Sequence, residues 1–123
     1  MRFAPPLGRV VATRTGIGGV VGRKREYFSW RFVVDFSSGP LGLIGRKADV
    51  TPVISASRGT VELTSARPQK AIHGYRAMFD VRLADASTDP VDLRLFLKLG
   101  NRALTETWIY QWTPPPPAAR GFS

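Results

Sequence analysis

Acid–base, nucleophilic or metal chemistry in this chain would have to be built from one histidine, His73, and nine Asp and Glu residues, with no cysteine. A zinc centre or a Ser-His-Asp triad needs partners beyond a single imidazole, so no catalytic, metal or cofactor site is expected around His73. The carboxylates fall mostly at turns or at outward strand positions. None is set up as a buried general acid with a raised pKa. Glu106 is the exception, because it shares its even-numbered register with Leu104 and Trp108 and so is expected on an inward face. A carboxylate there would need a partner, and arginine is plentiful. Tyr27, Trp108, Tyr110 and Trp112 offer flat rings for stacking on a sugar, although aromatics at alternate strand positions more commonly form a sandwich core. Tyr27, Glu106 and Tyr110 are the candidates for a sugar or interdomain contact. The run Gly16-Ile17-Gly18-Gly19-Val20-Val21 follows a strand as a dinucleotide-binding loop does. Its third glycine position is valine and no helix follows, so it reads as a linker.

The elements that must position these residues are strands. In Tyr27-Phe28-Ser29-Trp30-Arg31-Phe32-Val33-Val34-Asp35-Phe36 the even positions are all large and apolar, while Ser29, Arg31 and Asp35 alternate with them. That period of two specifies a strand with one buried face. Residues 72–83 repeat it, with Tyr75, Ala77, Phe79, Val81 and Leu83 against Arg76, Asp80 and Arg82. Residues 91–99 do the same, with Val91, Leu93, Leu95, Leu97 and Leu99 facing in. Shorter strands are expected over 9–15, 50–57 and 60–64, the last two joined at Arg58-Gly59 as a hairpin or tight bend. A final strand over 103–112 ends at four prolines, which cannot donate to a ladder. Residues 37–40 supply turn chemistry and residues 43–49 a loop. No segment has a helical period. Roughly seven strands separated by turns predict an all-β, immunoglobulin-like antiparallel sandwich without the antibody disulfide. Phe32, Phe79, Leu95 and Trp108 are the expected core. Burying a tryptophan contributes about 4–6 kcal/mol, from ~150–250 Å² at ~25 cal/mol/Å².

The chain has 123 residues, one domain's worth, and a net charge of +9. Such a charge attracts polyanions, but outside Arg23-Lys24-Arg25 the cations are scattered singly. No recognition helix, zinc finger or RNP-like motif accompanies them, so no nucleic-acid partner is expected. No run reaches the ~18–20 apolar residues of a membrane span. The first residues lack the apolar core of a secretory leader, which predicts a cytoplasmic location for the chain as written.

The wording of several blocks carries more than their pattern. Gly8-Arg9-Val10-Val11-Ala12-Thr13-Arg14, Gly16-Ile17-Gly18-Gly19, the strand from Tyr27 to Phe36, Pro52-Val53-Ile54-Ser55-Ala56-Ser57-Arg58-Gly59, Gly74-Tyr75-Arg76-Ala77-Met78-Phe79-Asp80 and Leu104-Thr105-Glu106-Thr107-Trp108-Ile109-Tyr110-Gln111-Trp112 closely resemble the glucans biosynthesis protein D/G family. The resemblance implies a periplasmic protein that controls the β-glucose backbone of osmoregulated periplasmic glucans, with some members acting as β-1,2-glucanases. It further implies a large N-terminal β-sandwich carrying the sugar cleft and catalytic carboxylates, followed by a small immunoglobulin-like domain. Only that C-terminal domain, with the last strand and linker of the large one, is matched here, so no catalytic residue of the family carries over. On this basis residues 1–22 are expected to be a strand and linker left from the missing domain, 23–113 the sandwich, and 114–123 a proline-rich tail. The expected function is that of a non-catalytic accessory domain, with an independent carbohydrate-binding module as the alternative. The partners implied are the N-terminal domain and β-glucan, and the charge of +9 would favour anionically substituted glucan.

Overall fold

The computed structural model describes residues 7–19, 22, 27–37, 41 and 49–120. The basic triplet Arg23-Lys24-Arg25, the turn at 38–40 and most of the loop at 43–49 lie outside the described residues. Among the described residues eight strands run in the order β1 (Arg9–Ile17), β2 (Ser29–Ser37), β3 (Val50–Ala56), β4 (Thr60–Gln69), β5 (Gly74–Arg82), β6 (Val91–Leu99), β7 (Arg102–Ala103) and β8 (Trp108–Trp112). They form two antiparallel sheets. One has the order β1-β2-β5-β4; the other is β3-β6-β7, with β8 also paired to β6. If β7 and β8 are taken as one broken strand, these are the A-B-E-D and C-F-G sheets of a seven-stranded immunoglobulin-like sandwich.

The alternating faces close on each other as expected. Phe32, Val34 and Phe36 of β2, Tyr75, Ala77, Phe79 and Val81 of β5, and Val91, Leu93, Leu95 and Leu97 of β6 are all buried in one core with Trp108 and Trp112. Aromatic packing between β2, β5 and β8 joins the two sheets, with no disulfide. Phe32 stacks on Phe79 (5.2 Å) and meets Trp108 and Trp112 edge-on (6.2 and 5.5 Å). Leu99, expected inside, is more than a third exposed because β6 ends there at a turn.

Several boundaries differ from the pattern-based reading, each for a local reason. Residues 9–15 were expected as a strand left from the missing domain, yet β1 pairs with β2 from Arg9↔Ser37 to Ile17↔Trp30 and forms the edge of the four-stranded sheet. None of its nine residues is fully buried, so its membership comes from the ladder more than from apolar burial. β3 and β4 are not a hairpin, since β3 pairs with β6 and β4 with β5, and Arg58-Gly59 turns the corner between sheets. β4 extends to Gln69 through a bulge between Glu62 and Ser65. Val61 and Ala66 both pack on the core at an odd spacing, which only such a bulge permits and which hides the alternation.

The last strand breaks because Leu104, Thr105 and Glu106 have other partners. Thr105 Oγ1 takes the Leu97 N–H (3.0 Å), while Gly8 donates to the Leu104 carbonyl (2.9 Å) and accepts from the Glu106 N–H (2.8 Å). β5 begins at Gly74, after a 3-10 turn and an exposed His73 with φ 51°. A Cβ at Gly74 would run into the Phe36 carbonyl, so β5 can lie this close to β2 only with glycine there. The residues after Trp112 also return to the sandwich. Arg120 is buried, donates to the carbonyls of Pro115 (3.1 Å), Asp85 (2.7 Å) and Ser87 (3.1 Å), and lies 4.7 Å over the Phe28 ring.

Candidate functional site: the charged face of the four-stranded sheet

β2 and β5 carry the same five-residue spacing of charge. Arg31-Phe32-Val33-Val34-Asp35 on one strand lies antiparallel to Arg76-Ala77-Met78-Phe79-Asp80 on the other. Residues one apart point to opposite faces, so the charged residues project away from the core that Phe32, Val34, Ala77 and Phe79 fill. The register sets Arg31 opposite Asp80 and Asp35 opposite Arg76, with Val33 and Met78 opposite each other between them. Two charge pairs therefore sit on the outward face as direct cross-strand neighbours.

Both carboxylates are nevertheless buried. Asp80 is fully enclosed and accepts from Arg31 Nε (2.7 Å) and Nη2 (3.1 Å) and from the Gly19 backbone N–H (3.0 Å). The same Arg31 Nη2 donates to the Gly19 carbonyl (2.6 Å). Gly18 and Gly19, part of the segment read as a linker, thus lie over Asp80 as its lid. A Cβ at Gly18 would lie 2.6 Å from Asp80 Oδ2 and 2.5 Å from Ser29 Oγ, so the approach requires glycine. A buried charge is tolerated when it is paired and its remaining lone pairs are filled, and Asp80 meets both conditions.

Asp35 is held by Arg76, through Nε (2.8 Å) and Nη2 (3.1 Å), and by Arg14 of β1 (3.2 Å). The Arg76 hydrogen bond, aided by its charge and by Arg14, holds the Asp35 carboxyl below its ordinary value of 3.8, against the opposing effect of burial. Asp35 raises the Arg76 guanidinium in turn. Because Asp35 binds its proton more weakly folded than unfolded, its stabilisation is present above pH ~4 and is lost as pH falls through the folded value. The urea midpoint of the Asp35→Asn chain is therefore expected to fall below the parent's at pH 6 and to approach it at pH 3. An equal gap at both pH values would contradict the assignment.

The three residues proposed from the sequence are not brought together. Tyr27 lies beyond the start of β2, donates its OH to Glu62 (2.7 Å), and has Arg82 3.8 Å over its ring. That hydrogen bond, with desolvation and the Glu62 charge, raises the Tyr27 pKa. Glu106 is exposed, contrary to the inward face expected for it, because the break between β7 and β8 disturbs the alternation. Its Oε2 accepts the Val10 N–H (2.8 Å), clipping the start of β1 opposite the far end of β2. Tyr110 is half-buried between the sheets, stacked on Trp108 (5.2 Å) and edge-on to Phe32 (5.8 Å). β2 alone spans nine residues, about 30 Å, so Tyr27 and Glu106 act at opposite ends of the molecule.

Sequence reasoning placed Arg31, Asp35, Arg76 and Asp80 on the wet side of their strands and did not anticipate their burial. The signal was the repeated Arg-x-x-x-Asp spacing on two strands of matching length. Among the described residues no group of three His, Asp or Glu is arranged to hold a metal ion. No helix among them is long and apolar enough to cross a membrane. An open recess of about 340 Å³ is lined by Gly59, Thr60, Arg82, Leu83, Ala84 and Asp85. What the charged face does chemically is fix strand order and register; its carboxylates are all engaged.

A family model described as "Periplasmic glucan biosynthesis protein, MdoG" matches residues 1–112. The chain is 59% identical over 115 residues to the glucans biosynthesis protein D of Stenotrophomonas maltophilia (strain K279a), covering 94% of this chain and 22% of that protein. It is 62% identical over 112 residues to the glucans biosynthesis protein D 1 of Ralstonia nicotianae, covering 91% and 21%. A probable glucans biosynthesis protein D of Shewanella oneidensis is 59% identical over 111 residues, covering 90% and 21%. The chain spans about a fifth of the length of the relatives it matches.

Proposed function

The chain belongs to the MdoG family of periplasmic glucan biosynthesis proteins, and on that premise we propose that it acts as a C-terminal accessory domain without catalysis of its own. In this reading it works in the periplasm, beside a larger sugar-handling domain, in the control of the glucose backbone of osmoregulated periplasmic glucans. The observation that carries the reading is the separate engagement of four of its nine carboxylates. Asp80 is closed under Arg31 and Gly19, Asp35 is held by two arginines, Glu62 accepts from Tyr27, and Glu106 accepts from the Val10 backbone. Glycoside hydrolysis commonly uses two carboxyl groups about 5–10 Å apart, flanking the scissile bond in a shared cleft. These four are tied into separate structural roles on different elements.

The purified chain is expected to release no oligosaccharide from linear β-1,2-glucan and to bind neutral glucan weakly. Affinity for anionically substituted glucan should be higher and should fall with salt, because a charge of +9 acts at long range. Product analysis after incubation, with parallel titrations of neutral and anionic glucan, checks both points. Oligosaccharides from a preparation free of other glucanases would overturn the non-catalytic role. Tight, salt-insensitive binding of neutral glucan would make the chain a self-contained carbohydrate-binding module.

A further inference from the structure

The two outward faces of the sandwich differ in kind. On the four-stranded sheet most charges close on one another, through Arg31–Asp80, Asp35 with Arg76 and Arg14, and Glu62 with Tyr27, with the exposed Arg67 of β4 outside these pairs. The outward face of the other sheet lacks that closure. With Val91, Leu93, Leu95 and Leu97 buried, the alternate residues Asp92, Arg94, Phe96 and Lys98 of β6 point out. Register places Val53 of β3 beside Phe96, and Ile109 of β8 beside Arg94. Ile109 is 69% exposed, the most exposed of the large apolar side chains among the described residues, and Phe96 and Val53 are half-exposed. Among the described residues, Arg94 and Lys98 at this face have no ion pair, and its acid, Asp92, accepts from Gln111 (3.2 Å).

We infer that this face of β3, β6 and β8 is the docking surface for the remainder of the polypeptide in which relatives carry this domain, which presents to it an apolar patch bordered by carboxylates. The inference rests on the accessory-domain reading. An apolar centre of Phe96, Val53 and Ile109 with a rim of unpaired cations is the anatomy of a protein interface, and its charge calls for an acidic complement. A sugar site would be concave and would offer acceptors to hydroxyl groups, whereas this face is an open sheet surface offering mainly donors. A second copy of the same chain would bring +9 against +9. The size also fits. Nine residues of β6 by three strands give a patch of about 30 by 14 Å, or about 400 Å² a side. Two sides make about 800 Å², within the ~600–1,500 Å² typical of contacts between domains of one chain. The relatives supply the partner, since about four-fifths of their length lies outside the matched segment.

The absence of native cysteine makes the test direct. Ile109→Cys and, on the opposite sheet, the exposed Arg67→Cys are made in the isolated chain and in a chimera. In the chimera the chain replaces the matching segment of the Stenotrophomonas maltophilia relative. Maleimide labelling of each position is followed by mass spectrometry. Position 109 is expected to label at least tenfold more slowly in the chimera than in the isolated chain, with position 67 changing by less than twofold. The same substitutions at the matching positions of the intact relative give the readout without a graft. Equal labelling of position 109 in both settings overturns the inference. Slowing in the isolated chain by added linear β-glucan, or by raising the chain's own concentration, also overturns it, in favour of a sugar face or a self-association face. None of these outcomes bears on glucan hydrolysis, so failure of the docking face is distinguished from failure of the non-catalytic role.

Discussion

Replacing Trp108 with alanine is expected to lower the unfolding free energy by about 3–5 kcal/mol, the range for large-to-small aromatic changes in a core. Trp108 is buried where the two sheets meet, edge-on to Phe32 (6.2 Å) and Phe79 (6.0 Å) and stacked on Tyr110 (5.2 Å). Three rings from three strands cannot all move in to fill the space it vacates. Its indole N–H also donates to Thr13 Oγ1 (3.0 Å), so the substitution removes a tether between β8 and the edge strand β1. Trp108→Phe separates the two effects, since it keeps most of the packing and loses the tether, at a cost nearer 1 kcal/mol from the hydrogen bond. Urea unfolding with an unchanged slope reads both values. A Trp108→Ala chain as stable as the parent would mean that the packing between the sheets has been misassigned.

Asp80→Ala is the second large effect expected, again about 3–5 kcal/mol, the cost of leaving one partner of a buried ion pair uncompensated. Arg31 would keep its charge, three-quarters shielded from water, with its main acceptor gone. The Gly19 N–H would lose its partner as well. Removing both charges is different, because well-packed apolar replacements of a buried pair are frequently neutral. The Arg31→Met/Asp80→Leu chain should therefore recover much of the loss, and the double-mutant cycle should show strong coupling. A single-variant effect below about 1 kcal/mol would place Asp80 in the ordinary range of exposed salt bridges and exclude the enclosed geometry.

The parts of the fold legible from sequence are those where period two runs uninterrupted. β2, β5 and β6 each alternate over nine residues, and Phe32, Phe79, Leu95 and Trp108 are all buried as expected. Legibility fails where the backbone leaves the ladder. The bulge in β4 shifts the phase between Val61 and Ala66. The break around Thr105 turns Glu106 outward although its number matches inward neighbours. β1 shows the opposite difficulty. As an edge strand it exposes Val11 and Ile17 and pairs through backbone groups that no side-chain pattern reports. The burial of Asp35 and Asp80 was hidden for a related reason, since alternation gives the face a residue points to and says nothing of what covers that face. Gly18-Gly19 and the arginines do the covering, across sequence separations no local window spans. Tyr27 and Tyr110 stand out by ring type and Glu106 by its register with Leu104 and Trp108, and the fold scatters them because each answers to a different element.

The mirrored Arg-x-x-x-Asp spacing on β2 and β5 also bears on which mispairings the two strands avoid while the chain is folding. A slip of one residue turns every apolar side chain of β2 to the wrong face and is excluded by the core alone. A slip of two preserves the faces, so apolar patterning barely opposes it, and there the charges decide. Moved one way, Arg31 would leave Asp80 and stand opposite Arg82, setting like charges side by side. Moved the other way, Arg31 would face Met78 and Asp35 would face Gly74, stranding two charges at once. The pair of acids thus acts as a check digit for the central strands, rejecting the near-miss alignments that hydrophobicity would accept.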